Sequence, residues 1–255
     1  MAPGTGSCVD ALLARCAPLS FAPLPELADA APEGPGWFTA VDAPAHVDAV
    51  LAAGSAPRGP HAVHATRAFL RELIFCVAAA AHLVECAPVL DVTGYHFHAG
   101  GPDGVDRRVL VARGWTKGTS AHVDAVAAAG LVAVAEPVVA AVRARGGVGP
   151  RTLWGYVVDM AHFGMLGLAR QLGTDRAAAW DRAEQLAEAL YAAGVPRMSK
   201  PELVRFGERR DDVWGVRGAC CLDFRDRSHG MCITCPVLDP ATRHAKWETS
   251  ALRPA

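Results

Sequence analysis

Four cysteines fall within sixteen residues near the C-terminal end of this 255-residue chain: Cys220, Cys221, Cys232 and Cys235. Their spacing is C-C-x10-C-x2-C, and Pro236 follows the last of them. A thiolate is a soft donor, and four together select iron–sulfur clusters, zinc or copper(I) over hard cations. Cys232 and Cys235 are close enough for one tight turn to aim both sulfurs at one metal atom. Cys220 and Cys221 are less ordinary. Neighbouring side chains of an extended chain point to opposite faces, so both reach one site only where the backbone bends, and Gly218 helps it to bend. Structural zinc sites commonly use two C-x2-4-C knuckles, and this chain has one. A two-iron cluster offers a wider cage that adjacent cysteines reach more easily. The spacing therefore favours an iron–sulfur centre and leaves zinc and a redox thiol pair open.

Other reactive residues are weighed against this quartet. Arg217, Arg225 and Arg227 flank the ligands in sequence. Cations there would stabilise a more negative, reduced centre or dock an anionic partner; ordinary surface arginines are the plain alternative. His229 lies inside the cysteine loop and reads as a hydrogen-bonding neighbour, since four cysteines suffice as ligands. His96 and His98 alternate along an expected strand, a spacing that suits a metal, but without a third ligand they read as a polar strand face. Cys76 and Cys86 read as small core residues. No G-x-G-x-x-G follows a strand, so no nicotinamide or flavin signature is visible and electrons would have to come from a separate donor.

The elements that must position these groups are mostly helical. With 51% hydrophobic and 20% charged residues the chain is globular in composition, and a net charge of −1 gives no overall field for nucleic acid. No cluster of Lys and Arg marks a DNA-recognition helix. Charge is uneven: residues 197–255 hold eleven Lys and Arg against eight acids, a mildly basic end. No secretory signal is visible, and no apolar run reaches the roughly 18–20 residues of a membrane span, so a cytoplasmic location is expected, where thiols stay reduced. Residues 1–60 are punctuated by proline, with short helices at 8–16 and 45–53. Helical periodicity runs through 61–86, 119–142 (kinked or split at Pro137), 151–172 and 175–193, with Thr174 as cap of the last. Residues 89–97 and 107–113 flank a Gly- and Asp-rich turn and predict a hairpin. The expected class is α+β: helices around a small antiparallel sheet in residues 1–196, with an irregular cysteine-rich module at 197–255 that draws its order from metal.

The cysteine pattern with its trailing proline resembles the C-terminal signature of the FhuF-like ferric siderophore reductases. Arg217-Gly218-Ala219 before the pair, and Leu222 and Phe224 after it, are also similar, and Arg151-Thr152-Leu153-Trp154-Gly155 loosely resembles an earlier family segment. The resemblance implies a [2Fe–2S] cluster on Cys220, Cys221, Cys232 and Cys235. It further implies one-electron reduction of Fe(III) held by a siderophore, of hydroxamate type, with release of Fe(II) for iron assimilation. A ferredoxin or an NADPH-dependent reductase would supply the electron. The competing expectation is an iron–sulfur or zinc regulatory or binding protein without reductase activity.

Overall fold

The computed structural model describes residues 5–53, 58–197, 200–209, 212–225 and 230–250. Arg227 and His229, both singled out above, lie outside them. The α+β expectation is met. Among the described residues seven α-helices run in chain order: α1 (Thr5–Cys16), α2 (Ala43–Ala53), α3 (Arg58–Leu83), α4 (Ser120–Gly146), α5 (Pro150–Leu172), α6 (Arg176–Ala192) and α7 (Pro240–Glu248). Eight short strands accompany them: β1 (Glu26–Leu27), β2 (Trp37–Thr39), β3 (Cys86–Pro88), β4 (Tyr95–Ala99), β5 (Val105–Leu110), β6 (Trp115–Lys117), β7 (Glu202–Arg205) and β8 (Val213–Val216).

The core is a ring of four helices. α3 and α6 each pack against both α4 and α5. Alanine-rich faces let these helices approach closely, and Leu70, Leu73, Ile74 and Val77 of α3 are fully buried at the helical spacing expected. α4 runs unbroken through Pro137 to Gly146 rather than splitting. It starts where Thr119 accepts a hydrogen bond from the His122 amide, and the left-handed Gly147 follows its end. An 18-residue window of α4 has a mean hydropathy of 2.1, so the helix is long and apolar enough to cross a membrane. Its apolar residues are instead covered by α2, α3, α5, α6 and β3, as for a helix buried on several sides. α6 is capped by Asp175, whose carboxylate accepts from the Ala177 amide at 3.0 Å. Thr174, the expected cap, instead directs its hydroxyl to the Ala169 carbonyl.

The expected hairpin is β4–β5, at the centre of a four-stranded sheet of order β1-β5-β4-β2. Tyr95 and Phe97 point inward, where Phe97 packs on Phe69, Phe38 and Tyr95. His96 and His98 take the opposite face, where His98 pairs with Asp106 at 2.8 Å and lies edge-on to Trp37. The strand pair β3–β6 was not expected. It begins at Cys86, which is joined by a disulfide to Cys8 of α1 with a Cα separation of 6.1 Å. The reading of Cys86 as a plain core residue is thus corrected, because α1 packs alongside β6 and brings Cys8 to it. Cys76 is fully buried in the core, as expected.

Beyond α6, the described residues form the antiparallel pair β7–β8 and helix α7, with irregular backbone between these elements and around the cysteines. This end is anchored by its own apolar cluster. Phe206, Trp214 and Trp247 pack with Leu166 of α5 and Trp180 of α6, and Phe206 stacks on Trp247 at 4.4 Å.

Candidate metal centre

Three elements converge on the cysteines. The first is the backbone leaving β8. The Arg217 amide donates to the Thr234 carbonyl at 2.9 Å, which brings the Cys-Cys pair beside the C-x2-C turn. The second is that turn. Cys235 N–H donates back to the Cys232 carbonyl at 3.0 Å, and the buried Arg243 of α7 donates to the carbonyls of Cys235 and Leu238 at 2.9 and 2.7 Å. The third is α5. Its Gly155 lies so near Ala219 that a Cβ there would sit 2.6 Å from the Ala219 Cβ. One turn on, the Asp159 carboxylate accepts the amides of Gly218 and Ala219 at 2.8 and 3.0 Å. Helical spacing puts residues 155 and 159 on one face, so a single face of α5 grips the segment that precedes Cys220.

Asp159 is 2% exposed. Burial pushes its carboxyl up to about 7, against the opposing pull of the two amides and of Arg217. Leu222 adopts a left-handed φ of 65°, unusual for a residue with a side chain. That turn lets the Leu222 amide donate to Cys220 Sγ at 3.3 Å. Amides that point at sulfur favour thiolate over thiol and tune whatever the sulfurs hold.

The four thiols form a chain of neighbours. Cys220 is within hydrogen-bonding reach of both Cys221 and Cys235, and Cys221 of Cys232. The contact with Cys221 pulls the Cys220 thiol down and pushes Cys221 up, and Cys232 is pushed strongly up by the same neighbour and by burial. Cys235 is 2% exposed and the other three are half-buried. Among the described residues no three His, Cys, Asp or Glu side chains close around a single point as a mononuclear site requires. The pairwise sulfur contacts and that absence are compatible, because a chain of neighbours need not be a cage about one centre. Four soft sulfurs in one contact chain are a donor set that an iron–sulfur centre would accept.

Of the three arginines singled out, Arg217 is at the centre. Burial works against its charge, and the Cys232 and Cys221 sulfurs, then Asp159, more than offset this, so its pKa is raised. Its guanidinium also lies over the Phe163 ring at 6.0 Å. Arg225 is exposed on the 3-10 turn Asp223–Arg225.

Two cavities meet at Cys221. One, of about 150 Å³, is lined by Cys221, Cys232 and Cys235 with Phe224 and Met231. The other, of about 200 Å³, has Cys221 and Asp223 in its wall together with residues of α3 and α5. Sequence reasoning missed these α3 and α5 residues, since they lie far from the cysteines along the chain. The Asp223 carboxylate meets His64 of α3 at 2.8 Å across 159 residues of sequence. Larger cavities of about 440 and 560 Å³ lie near β5 and share no residue with the cysteine site. Neither a scan against protein-family models nor a search of curated proteins finds a match to this chain.

Proposed function

We propose that the chain is a [2Fe–2S] electron-transfer protein that reduces Fe(III) held by a siderophore and so releases iron as Fe(II). The observation that carries this reading is the contact chain of four cysteine thiols beside a half-buried arginine, at a wall shared with a second cavity. Cys220, Cys221, Cys232 and Cys235 would be the ligands. A cluster there supplies single-electron transfer, taken from a ferredoxin or an NADPH-dependent reductase and passed to the ferric chelate.

The chemistry asks little more of the protein. Hard, anionic oxygen donors hold Fe(III) far better than Fe(II), so one added electron loosens the chelate and no general base or nucleophile is needed. The side chains do three things. Asp159 and Gly155 fix the backbone that presents Cys220 and Cys221. Arg217 places positive charge against Cys232 and Cys221, which favours a more negative, reduced centre and raises its potential. Cys221, on the wall of both cavities, gives the short path outward.

The test is anaerobic purification, absorption and EPR spectra, then mixing of the reduced protein with ferric hydroxamates and a ferrous trap. The expected result is a red-brown protein that bleaches on reduction and regains colour as Fe(II) appears in the trap. Cys232→Ser should abolish or shift the cluster signal. A colourless protein containing zinc alone would move the chain to the structural or regulatory class. An intact cluster whose reduced spectrum ignores every ferric chelate would end the reductase reading.

A further inference from the structure

The cavity on the far side of Cys221 from the sulfur cavity is strongly cationic. His64, Arg67 and Arg71 recur at helical spacing along one face of α3, and Arg217 closes the opposite side. Among the described residues no carboxylate lies within ion-pair distance of Arg67 or Arg217. Arg71 shares Glu72 with Arg108, at 3.4 and 3.3 Å. Asp223, the acid in the wall, is taken up by His64. A second observation points to a ligand. Tyr156 of α5 lines the same space and is 6% exposed, yet its hydroxyl has no hydrogen-bond partner among the described residues. Arg67, Arg71 and Arg217 line the same cavity as that phenol. A buried hydroxyl without a partner is unfavourable, and like charges lining one cavity repel one another. An anion bearing several oxygen acceptors relieves both.

Resting on the reductase reading above, we infer that this pocket of α3 and α5 docks the ferric chelate, and that it selects net-anionic chelates with carboxylate or catecholate oxygens over neutral hydroxamates. Guanidinium groups fork onto paired oxygens of the chelate, and Tyr156 donates its free hydroxyl to a third. The metal complex then rests against Cys221. A neighbouring cavity of about 180 Å³ shares His64, Arg67 and Arg71, so the cationic surface continues past the pocket and offers room for a ligand larger than the pocket itself.

The test separates docking from chemistry by using gallium(III), which matches Fe(III) in charge and size and is not reduced under these conditions. The holoprotein is titrated calorimetrically with the gallium complex of a tris-catecholate, which is anionic, and with that of a neutral trihydroxamate. The anionic complex should bind at least about tenfold more tightly, as one charge-assisted hydrogen bond is worth, and added salt should erode that preference. Arg67→Met should weaken the anionic complex by about tenfold without touching the neutral one, and Arg67→Lys should recover part of the loss. Arg67 is exposed, so neither change threatens folding. Tyr156→Phe, which removes only the hydroxyl, should also weaken the anionic complex. Equal affinities for the two complexes, binding of neither, or an Arg67→Met variant with the original preference would overturn the inference. A protein that binds the anionic gallium complex but reduces no ferric chelate would keep the docking site and lose the reductase reading. Equal rates with neutral and anionic ferric chelates, unaffected by Arg67→Met, would do the reverse.

Discussion

Asp159→Asn isolates the contact between α5 and the cysteine segment. The wild-type carboxylate accepts two backbone amides, from Gly218 and Ala219. Asparagine keeps the shape but offers one oxygen, so one amide is left facing an NH2 group. A buried donor without an acceptor costs about 1–3 kcal/mol. The pH dependence is more diagnostic. The folded carboxyl titrates at about 7, above its ordinary value of 3.8. The native state therefore binds a proton that the unfolded chain has already released. Stability falls as pH rises between these two values, and the loss is complete above the folded pKa. From pH 5 to pH 8 the difference amounts to about 2–3 kcal/mol, at 1.36 kcal/mol per unit. The substituted amide cannot titrate, so the gap between wild type and variant should narrow or invert by that amount across this range. Guanidinium unfolding of both proteins at four pH values, followed by tryptophan fluorescence, gives the comparison, and other titrating groups cancel in the difference. Parallel stability curves would show that Asp159 is not the buried, proton-holding clamp described here.

Gly155→Ala drives a methyl against Ala219, 2.6 Å away in the present arrangement. It should cost about 1–3 kcal/mol and perturb the visible spectrum, and an unchanged spectrum would mean that α5 does not set the position of the pair. Cys8→Ser with Cys86→Ser opens a crosslink spanning 78 residues and should lower stability by about 2–4 kcal/mol while leaving the visible spectrum intact, as read by thermal unfolding and absorption. Leu222→Val puts a β-branched side chain where φ is 65°; loss of the proposed cluster's signal is expected, and a signal equal to that of the wild type would exclude the left-handed turn as what aims Cys220 and Cys221.

The cysteine quartet is legible in the sequence because all four donors lie within sixteen residues, where spacing restricts geometry directly. The helical core is legible for a similar reason: Leu70, Leu73, Ile74 and Val77 repeat at the period of the helix that buries them. What stays hidden depends on contacts across long stretches of chain. Asp159 meets Gly218 across 59 residues and His64 meets Asp223 across 159. In sequence, Asp159 is one polar residue on an apolar helix, and Arg67 and Arg71 are ordinary helix charges. Strands β1 and β3 are two and three residues long. They exist through partners β5 and β6 rather than through local propensity. The Cys8–Cys86 bond is hidden likewise, since nothing in the spacing of two cysteines 78 apart selects them over Cys16 and Cys76.

Several locally unfavourable features meet at one short segment. Leu222 holds a left-handed φ that costs about 1–2 kcal/mol for a residue with a Cβ. Gly155 gives up the helix propensity of alanine, worth roughly 1 kcal/mol, to let Ala219 approach. Asp159 is buried at the expense of its charge, and Arg217 is half-buried beside it. Taken alone, the local backbone would be better served by glycine at 222 and alanine at 155. The common effect of Leu222, Gly155, Asp159 and Arg217 is to hold the backbone of residues 217–222 in one path, with amides turned toward sulfur and a cation against Cys221 and Cys232. Strain of this kind persists where the surrounding structure over-determines it, and it gathers where groups must be held ready for a ligand. The opposite wall of Cys221 follows the same pattern, with Arg67 unpaired among the described residues and the Tyr156 hydroxyl left open. A site built only to stabilise the fold would have satisfied the Tyr156 hydroxyl. That incompleteness beside a prepared sulfur quartet is our ground for giving the two cavities to one proposed process, the inner to the cluster and the outer to the chelate it reduces.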